Sequence, residues 1–226
     1  MGKEAAIIFD VDKTIITSAS GKVFAKLAIK RGVLPIWTLI LIPIYFIYYY
    51  FGRMGIAFFE KKFPVLEGKT REQLLAVSRE CFTKYLKHHI YQEAVDIIKE
   101  AKAKSILVLL ATSSIDIIVK PIADFLGVEY FATRMEFEGE ISTGRFISPP
   151  LFGREKKNQV LAYLEKKQID PGECAFYTDS VNDLPLLEAV GHPVAVNPDM
   201  VLKKIAAQRG WEIKRFTAVY AMEEKK

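Results

Sequence analysis

The sequence predicts an α/β fold with a doubly wound parallel sheet, on the basis of three observations. Short continuous apolar runs recur along the chain, and such runs are typical of strands that are buried on both faces of a parallel sheet. Helical patterns alternate with these runs. The first three runs end in carboxylate or hydroxyl side chains, which parallel strands would deliver to one edge of the sheet. The predicted strands are Ala5–Phe9, Ser105–Ala111, Cys174–Tyr177 and Pro193–Val196.

The segments between these strands have two kinds of pattern. A turn-favouring pair, Glu138-Gly139, separates Met135–Phe137 from Glu140–Ser142, and this arrangement predicts a β-hairpin. The other segments have the apolar spacing of helices. The predicted helices are Tyr91–Ala103, Ile115–Leu126, Lys156–Lys167, Leu184–Val190 and Met200–Arg209.

Residues 16–89 interrupt the alternation of strands and helices. This segment contains no strand followed by a turn and a helix, although Ser20–Arg31 and Arg71–Lys87 have helical patterns. A helical unit inserted after the first strand accounts for this arrangement. We therefore expect a catalytic core formed by residues 1–15 and 90–226, and a helical cap formed by residues 16–89.

Composition and charge narrow the function. The 226 residues are 50% hydrophobic and 26% charged, which excludes a disordered chain. The formal charge is +5, but basic residues alternate with acidic ones instead of clustering, so we expect no nucleic-acid partner. The two cysteines, Cys81 and Cys174, lie far apart in the sequence, as expected for free thiols in the reducing cytoplasm.

Two segments at predicted strand ends carry reactive groups. Asp10 and Asp12 follow the first strand, where one carboxylate can attack a substrate or hold a cation while the other transfers protons. An acidic turn after a strand would give the same pattern. Thr112 follows the second strand, and its hydroxyl suits a phosphoryl oxygen. Ser113 or Ser114 could equally cap the next helix.

Three further charged residues follow later in the chain. Lys156 begins a predicted helix, where a lysine is usually solvated. Asp179 follows the third predicted strand, and Asp183 lies one helical turn beyond it. Mg²⁺ binds through one or two carboxylates together with carbonyls, water and substrate phosphate. A helix dipole alone would also favour acids at this place, so each motif is ambiguous when it is taken singly.

The combination of these motifs, in this order, resembles the haloacid dehalogenase superfamily of phosphatases. Within that superfamily the chain resembles the subfamily IB hydrolases, relatives of phosphoserine phosphatase with a helical cap after the first motif. The resemblance implies a Rossmann-like core and spans Phe9 to Leu187. The four matching segments are FDVDKT, LLATSS, GREK and YTDSVNDLPLL.

The resemblance also implies a role for each site residue. Asp10 would be the nucleophile that forms an aspartyl-phosphate, and Asp12 would protonate the leaving oxygen and then activate water. Mg²⁺ would be the cofactor, and a phosphorylated small molecule would be the substrate. The implied phosphate-binding residues are Thr112, Ser113, Lys156 and Asn182, and the implied metal-binding residues are Asp10, Asp12 (through its backbone carbonyl), Asp179 and Asp183, the last in support of the metal shell.

The chain departs from the phosphoserine phosphatase pattern in several positions. Those enzymes carry a glutamate early in the cap to read the amino group, where this chain has Ser18-Ala19-Ser20. Their Ser-Gly-Gly segment is here Thr112-Ser113-Ser114, and their Gly-Asp-Gly segment is Thr178-Asp179-Ser180. Lys13 replaces the commoner glycine. These departures leave the substrate open beyond a small organic phosphate.

The segment Val33–Phe51 is unusually apolar. It can form a hairpin packed inside the cap, or a surface that rests on lipid. A single membrane span is not expected, because Asp10 would then lie across the bilayer from Lys156 and the other site residues. Pro35 and Pro43 also interrupt a helix here. We expect a cytoplasmic protein, or one that is peripheral at the inner face of the membrane.

Three alternatives to a phosphatase of small molecules remain. A lipid phosphate, of the phosphatidylglycerophosphate or lysophospholipid kind, would suit an apolar cap. A catalytically silent membrane-interaction protein would need a decayed site, although all the expected side chains are present. A phospho-acceptor of the receiver type would have adjacent acids after its first strand, whereas here one residue separates Asp10 from Asp12.

Overall fold

The computed structural model describes residues 4–40 and 63–221. Its central element is a sheet of six parallel strands, accompanied by a separate antiparallel hairpin. The sheet strands are β1 (Ala6–Phe9), β2 (Leu107–Ile115), β3 (Glu129–Thr133), β6 (Cys174–Thr178), β7 (His192–Val196) and β8 (Glu212–Lys214), and the hairpin strands are β4 (Met135–Glu138) and β5 (Ile141–Phe146).

The strand order, β3-β2-β1-β6-β7-β8, reverses direction at the first strand. Ala6 of β1 pairs with Leu107 of β2 on one side and with Cys174 of β6 on the other. Open sheets of this kind bind ligands outside the carboxyl ends of the strands where the order reverses. The predicted doubly wound α/β fold is confirmed, and its ligand-binding edge lies where β1 and β6 end.

Helices cover both faces of the sheet. The side chains of β1 point alternately to the two faces and are buried on both. Ile7 and Phe9 belong to one buried cluster, whereas Ala6 and Ile8 belong to another on the opposite face. A strand buried on both faces must be apolar throughout, as the sequence of β1 is. The helices are α1 (Ser20–Lys30), α2 (Arg71–Lys84), α3 (Gln92–Ala103), α4 (Asp116–Leu126), α5 (Arg154–Lys166), α6 (Leu184–Leu187) and α7 (Met200–Arg209).

The structure differs from the sequence-based expectations in four elements. Strands β3 and β8 were not expected, since neither is a continuous apolar run. Strand β2 continues past Ala111 to Ile115, with a shift in its pairing register to β3 between these two residues. The predicted helix Leu184–Val190 begins at the expected residue but is shorter, since α6 ends at Leu187, and a 3₁₀ turn (Val181–Asp183) precedes it.

The described part of residues 16–89 packs against the core. Helices α1 and α2 share one buried cluster with a face of the sheet, and the Ser78 hydroxyl of α2 donates to the Ile117 carbonyl of α4 (2.6 Å). The two connections of the segment lie side by side: the Thr17 amide donates to the His89 carbonyl, and the Tyr91 amide to the Ile15 carbonyl. This pairing fixes the chain just after Asp12.

The expectation for the apolar run Val33–Phe51 lies mostly outside the described residues. In residues 4–40 and 63–221, no helix combines the length and the apolar character needed to cross a bilayer.

Candidate active site

Asp10 and Lys156 form a buried ion pair at the carboxyl end of β1. The Asp10 amide donates to the Tyr177 carbonyl of β6 (2.9 Å), which extends the strand pairing to the residue that bears the carboxylate. The Lys156 ammonium donates to Asp10 Oδ1 (3.0 Å), and the Lys156 residue is only 2% exposed. Gly153, with φ +53°, precedes α5 and permits the turn that brings Lys156 into the first helical turn.

Asp183 holds the same ammonium group from the other side. Lys156 Nζ lies 2.7 Å from Asp183 Oδ1 and 2.8 Å from Oδ2, and the Thr178 hydroxyl also donates to Oδ2 (2.7 Å). Burial lowers the pKa of Lys156, but the negative charges of Asp10 and Asp183 more than offset this effect and raise it above its ordinary value. Lys156 is therefore a fixed cation.

Burial raises the pKa of Asp10 above its ordinary value, and the charges of Asp183 and Asp12 act in the same direction, whereas Lys156 opposes the shift. Burial also raises the pKa of Asp179 to about 8, with a further contribution from the charge of Asp10 and a lowering by Lys13. The charge of Asp10 thus disfavours ionisation of Asp179. Two buried acids in this relation form a natural position for a cation.

Lys13 lies next to this acidic pair. Its backbone has φ +59°, a left-handed conformation that glycine adopts most readily, and glycine is the commoner residue at this position in the resembled family. The Lys13 ammonium lies 4.0 Å from Asp179 Oδ2, and its side chain is 47% exposed. Lysine therefore accepts some backbone strain and adds a positive charge at the edge of the site.

The Asp12 carboxylate is hydrogen-bonded through both of its oxygens. The Ser20 amide donates to Oδ1 (2.8 Å), and the Ser114 hydroxyl donates to Oδ2 (2.9 Å). Burial raises the pKa of Asp12, although these two donors lower it. A carboxyl group with a raised pKa is suited to proton transfer.

Three of the predicted phosphate-binding residues, Thr112, Ser113 and Asn182, lie in β2 and in the turn after β6. Thr112 lies in β2, where its hydroxyl accepts from the Ser114 amide (3.3 Å). Ser113 accepts at its carbonyl from the Thr133 hydroxyl (2.8 Å). Asn182 lies in the 3₁₀ turn after β6, and its amide donates to the Ser180 hydroxyl (3.3 Å). Neither Ser113 nor Ser114 caps α4, because the helix begins after Ile115 without a side-chain cap.

Asp199 is a structural part of the site that sequence reasoning missed. It accepts from the Val181 amide through Oδ2 (2.8 Å), and its own amide donates to the Asp179 carbonyl (2.8 Å). It also caps α7, because Oδ1 accepts from the amides of Val201 and Leu202. The only signal in the sequence is an aspartate directly before a helical pattern, which predicts the cap but not the contact with the loop that bears Asp179.

The donor groups at this site fit the ligand requirements of the expected Mg²⁺. Among the residues that the structure describes, no group of three or more His, Cys, Asp or Glu side chains could hold a metal ion by itself. Mg²⁺ needs fewer, because it usually retains waters and binds one or two carboxylates with substrate phosphate. Asp10 and Asp179, with a backbone carbonyl, match that chemistry. Asp183 directs both oxygens at Lys156.

Comparison with known proteins identifies the family. A family model described as haloacid dehalogenase-like hydrolase matches residues 7–188, which include every predicted site residue. The chain belongs to the haloacid dehalogenase-like hydrolases. The resemblance carried by the four motifs is therefore confirmed.

Individual relatives of this hydrolase are phosphatases or share their fold. A histidinol-phosphatase of Neisseria meningitidis serogroup C (strain 8013) is 30% identical over 216 residues, which cover 92% of this chain and 97% of the relative. A solved structure of a protein of unknown function from Bordetella pertussis Tohama I has a TM-score of 0.80 at 28% identity, covering 92% of this chain and 96% of that one. A phospho-aspartyl intermediate analogue of phosphoserine phosphatase has a TM-score of 0.66 at 18% identity, covering 96% and 95% of the two chains, and shows the shared fold.

The family and these relatives make the protein a phosphoric monoester hydrolase, as the sequence predicted.

Proposed function

We propose that the protein hydrolyses the phosphate ester of a small organic molecule, with Mg²⁺ as cofactor and with a phosphoryl group carried transiently on Asp10. The observation that carries this proposal is the ion pair of Lys156 with Asp10 (3.0 Å), buried where the strand order of the sheet reverses. A phosphate group can approach a carboxylate that lies beside a fixed cation, because the cation offsets the negative charge of the phosphate.

In the proposed reaction, an oxygen of Asp10 attacks phosphorus and the bond from phosphorus to the substrate oxygen breaks. Asp12 gives its proton to that departing oxygen, so an alcohol leaves. Asp12 then takes a proton from water as the water attacks the phosphoryl group, which leaves as inorganic phosphate and restores the Asp10 carboxylate. The raised pKa of Asp12 supports both roles, because a carboxyl group that titrates nearer neutral pH exchanges its proton more readily.

Binding of the phosphoryl oxygens is proposed for Lys156, Thr112, Ser113 and Asn182. Lys156 supplies a permanent positive charge, and its two carboxylate partners hold it in place. Thr112 supplies a hydroxyl in the last part of β2, and the backbone after it is fixed by the bond from Thr133 to the Ser113 carbonyl. These groups orient the phosphate for attack in line with the leaving oxygen.

Mg²⁺, when bound, would polarise the phosphoryl oxygens and offset negative charge. The residues proposed to hold it are Asp10, Asp179 and the backbone carbonyl of Asp12. Asp183 is proposed to support the metal shell indirectly, through Lys156, because the ammonium contacts both of its oxygens.

The substrate is proposed to be a small phosphomonoester, and two observations bear on its class. The similar protein from Neisseria meningitidis is named histidinol-phosphatase, whose substrate is a small organic phosphate. Ser20 stands near the position where phosphoserine phosphatases carry a glutamate, and its amide binds Asp12. We propose that residues 16–89 form the cap that selects the substrate, and part of this segment, residues 41–62, lies outside the described residues.

The test of the proposed function is Asp10→Asn. This change keeps the shape of the side chain but removes the attacking oxygen anion, so Mg²⁺-dependent hydrolysis of p-nitrophenyl phosphate should fall to background. Acid-quenched wild-type protein should carry a phosphoryl group on the peptide that contains Asp10. Substantial turnover by Asp10→Asn, or no phosphorylated peptide under rapid quench, would contradict the covalent route.

A second candidate is a lipid phosphate substrate at a membrane surface. The exposed apolar side chains at the end of the first described range favour it: Ile36 is 74%, Trp37 49% and Ile40 67% exposed. Trp37→Ser should then reduce hydrolysis of a long-chain phosphomonoester in anionic vesicles but not hydrolysis of p-nitrophenyl phosphate. Phe125→Ser, at another exposed aromatic residue, is the matched control, and equal behaviour of the two variants would count against this candidate.

The cytoplasmic location also remains a proposal. Cys81 and Cys174 are free thiols and both are buried. Burial raises the pKa of Cys81 to about 12 and that of Cys174 to about 11. Both thiols therefore stay protonated, whereas the thiolate is the form that reacts in redox chemistry.

A further inference from the structure

Ser114 and Ser20 form a hydroxyl pair against Asp12. The two hydroxyl oxygens lie 3.1 Å apart, and Ser20 is the donor of this bond because the single hydroxyl proton of Ser114 goes to Asp12. Ser114 Oγ donates to Asp12 Oδ2 (2.9 Å), while the Ser20 amide donates to Asp12 Oδ1 (2.8 Å). The three residues come from three different elements: the end of β2, the start of α1 and the turn after β1.

This arrangement depends on a residue that departs from the family pattern. Ser114 is the third residue of Thr112-Ser113-Ser114, where phosphoserine phosphatases have glycine and therefore no side chain that could reach Asp12. Ser20 is fully buried (0% exposed), and its hydroxyl contacts Ser114 and also lowers the pKa of Asp12 through a hydrogen bond. Its amide is one of the first in α1, whose N-cap residue, Ala19, supplies no side-chain acceptor.

We propose that Ser114, supported by Ser20, is a positioning residue that holds the Asp12 carboxyl group in the orientation needed to donate a proton to the leaving oxygen. Both carboxyl oxygens accept hydrogen bonds from the protein, so rotation of the Asp12 side chain breaks at least one of them. Each oxygen also keeps a second lone pair for the substrate or for water. A group held in the productive geometry transfers its proton faster than one that must first find it.

The inference rests on the proposed role of Asp12 as proton donor, and the experiment separates the two claims. The probes are a series of aryl and alkyl phosphates whose leaving groups differ in basicity. The quantity measured is kcat/KM, which reports only the steps up to formation of the phosphoryl-enzyme. A good leaving group departs without a proton, whereas a poor one needs it.

Ser114→Ala should lower kcat/KM about tenfold for the alkyl phosphates, a part of the ~10²–10⁴ that a positioned acid contributes, and less than about twofold for p-nitrophenyl phosphate. Ser114→Thr keeps the hydroxyl and should restore most of the lost rate. Ser20→Ala keeps the amide donor and should give a smaller loss in the same substrates.

The decisive measurement is a double-mutant cycle. In an Asp12→Asn background the side chain to be positioned has lost its proton-donating function, so adding Ser114→Ala should change kcat/KM less than about twofold for every substrate. A residue that acts on the fold or on the phosphate would lower the rate in both backgrounds alike. Ser78→Ala is the matched control, because it removes another buried serine hydroxyl, the donor to Ile117, without touching Asp12.

Two results would overturn the inference, and they are distinguishable. If Ser114→Ala slows aryl and alkyl phosphates equally, and does so again in the Asp12→Asn background, Ser114 does not act through Asp12. If Asp12→Asn alone shows no dependence on the leaving group, the proposed acid role fails and the positioning role fails with it.

Discussion

Lys156 occupies an unusual position for a lysine, because it is almost fully buried and is shared by two carboxylates. A buried charge is tolerated only when it is paired and hydrogen-bonded. Removal of one partner from such a group leaves the remaining charges uncompensated. The resulting loss of stability is larger than the stability that the intact group contributes. The site therefore depends on this side chain for folding as well as for the phosphate contact proposed for it.

Lys156→Met should lower the free energy of unfolding by about 3–5 kcal/mol at pH 8, as is typical for a broken buried pair, and abolish hydrolysis. The loss should be smaller at pH 5, because Asp10, whose pKa is raised by burial, can then take up a proton instead of remaining charged. Urea denaturation at both pH values measures this difference. Lys156→Arg keeps the charge and is the control; an equal loss at both pH values would refute the explanation.

Asp179 gives the protein a pH-dependent stability when metal is chelated by EDTA. Its pKa rises from 3.8 to about 8 on folding, chiefly because of burial, so the folded state binds this proton more tightly than the unfolded state. The resulting stabilisation is present below about pH 4 and is lost as the pH rises towards 8. Asp179→Asn has no such proton to lose.

The melting temperature in EDTA should therefore fall more steeply between pH 5 and pH 8 for the wild type than for Asp179→Asn, by a difference on the order of several degrees. Asp96→Asn, at an exposed and distant aspartate, should follow the wild type. Parallel curves for the wild type and Asp179→Asn would show that this carboxylate does not carry the effect.

The sequence predicted which residues approach the site but not how they contact each other. Asp10, Thr112, Lys156 and Asp179 could be found because their order along the chain is specific. The bond from Ser114 to Asp12 joins residues 102 positions apart, and a serine in a polar segment carries no sign of such a partner. Hydrogen-bond partners of this kind are set by packing, which no local pattern records.

At the scale of elements, α7 and the loop after β6 are joined through Asp199. Asp199→Ala removes the acceptor for three backbone amides, two in α7 and one at Val181. We expect a stability loss of about 1–2 kcal/mol, typical of a lost helix cap. We also expect the Mg²⁺ concentration for half-maximal activity to rise several-fold, because the Val181 contact steadies the loop that bears Asp179.

Thermal unfolding and Mg²⁺ titration of activity measure these two effects separately. Asp170→Ala is the matched control, since its carboxylate accepts from the Gly172 amide at the start of a 3₁₀ turn that precedes β6. Asp170→Ala should lower the stability of the protein without changing its Mg²⁺ requirement. An unchanged Mg²⁺ requirement in Asp199→Ala would reduce the role of Asp199 to that of a helix cap.

Elements with a strong local pattern were predicted well, and the two strands that were not predicted, β3 and β8, share one cause. Helix α7 has the predicted bounds, and its start carries a capping aspartate. Strand β3 contains exposed or half-buried residues such as Glu129 and Tyr130, and β8 is a three-residue edge strand, Glu212–Lys214. Edge strands are covered on fewer sides, so their sequences need not be continuously apolar.

At the scale of the whole molecule, one sheet separates two buried clusters. Leu164 of α5 lies in the cluster on one face and Ile122 of α4 in the cluster on the other, and both are fully buried. Because β1 contributes side chains to both clusters, we expect the two faces to unfold together.

Leu164→Ala and Ile122→Ala should each lower the free energy of unfolding by about 2–5 kcal/mol, as for other large-to-small core substitutions. Each should leave kcat/KM of the folded protein close to the wild-type value. Unfolding followed by Trp211 fluorescence, near the Leu164 cluster, should coincide with unfolding followed by circular dichroism. Two separate transitions in either variant would contradict a single cooperative unit.

The whole-molecule prediction was most successful for the core and least for the cap. The alternation of strands and helices predicted the sheet, and the family resemblance carried by the four motifs implied the site at its edge. The division between core and cap remains a prediction, and within the described residues α1 and α2 share a buried cluster with the sheet. Apolar patterns predict which residues are buried, but not which element covers them.

The position of β1 in the sheet has a consequence for biosynthesis. Ala6–Phe9 leaves the ribosome before both of its neighbours in the sheet, which contain Leu107 and Cys174. At about 5–20 residues per second, this apolar strand waits on the order of ten seconds or more for its second partner. The nascent chain therefore holds this apolar strand without its second partner while the residues up to Cys174 are made. Protection of that strand, by chaperones or by transient contacts with α1, is a requirement that the order of the strands imposes on the cell.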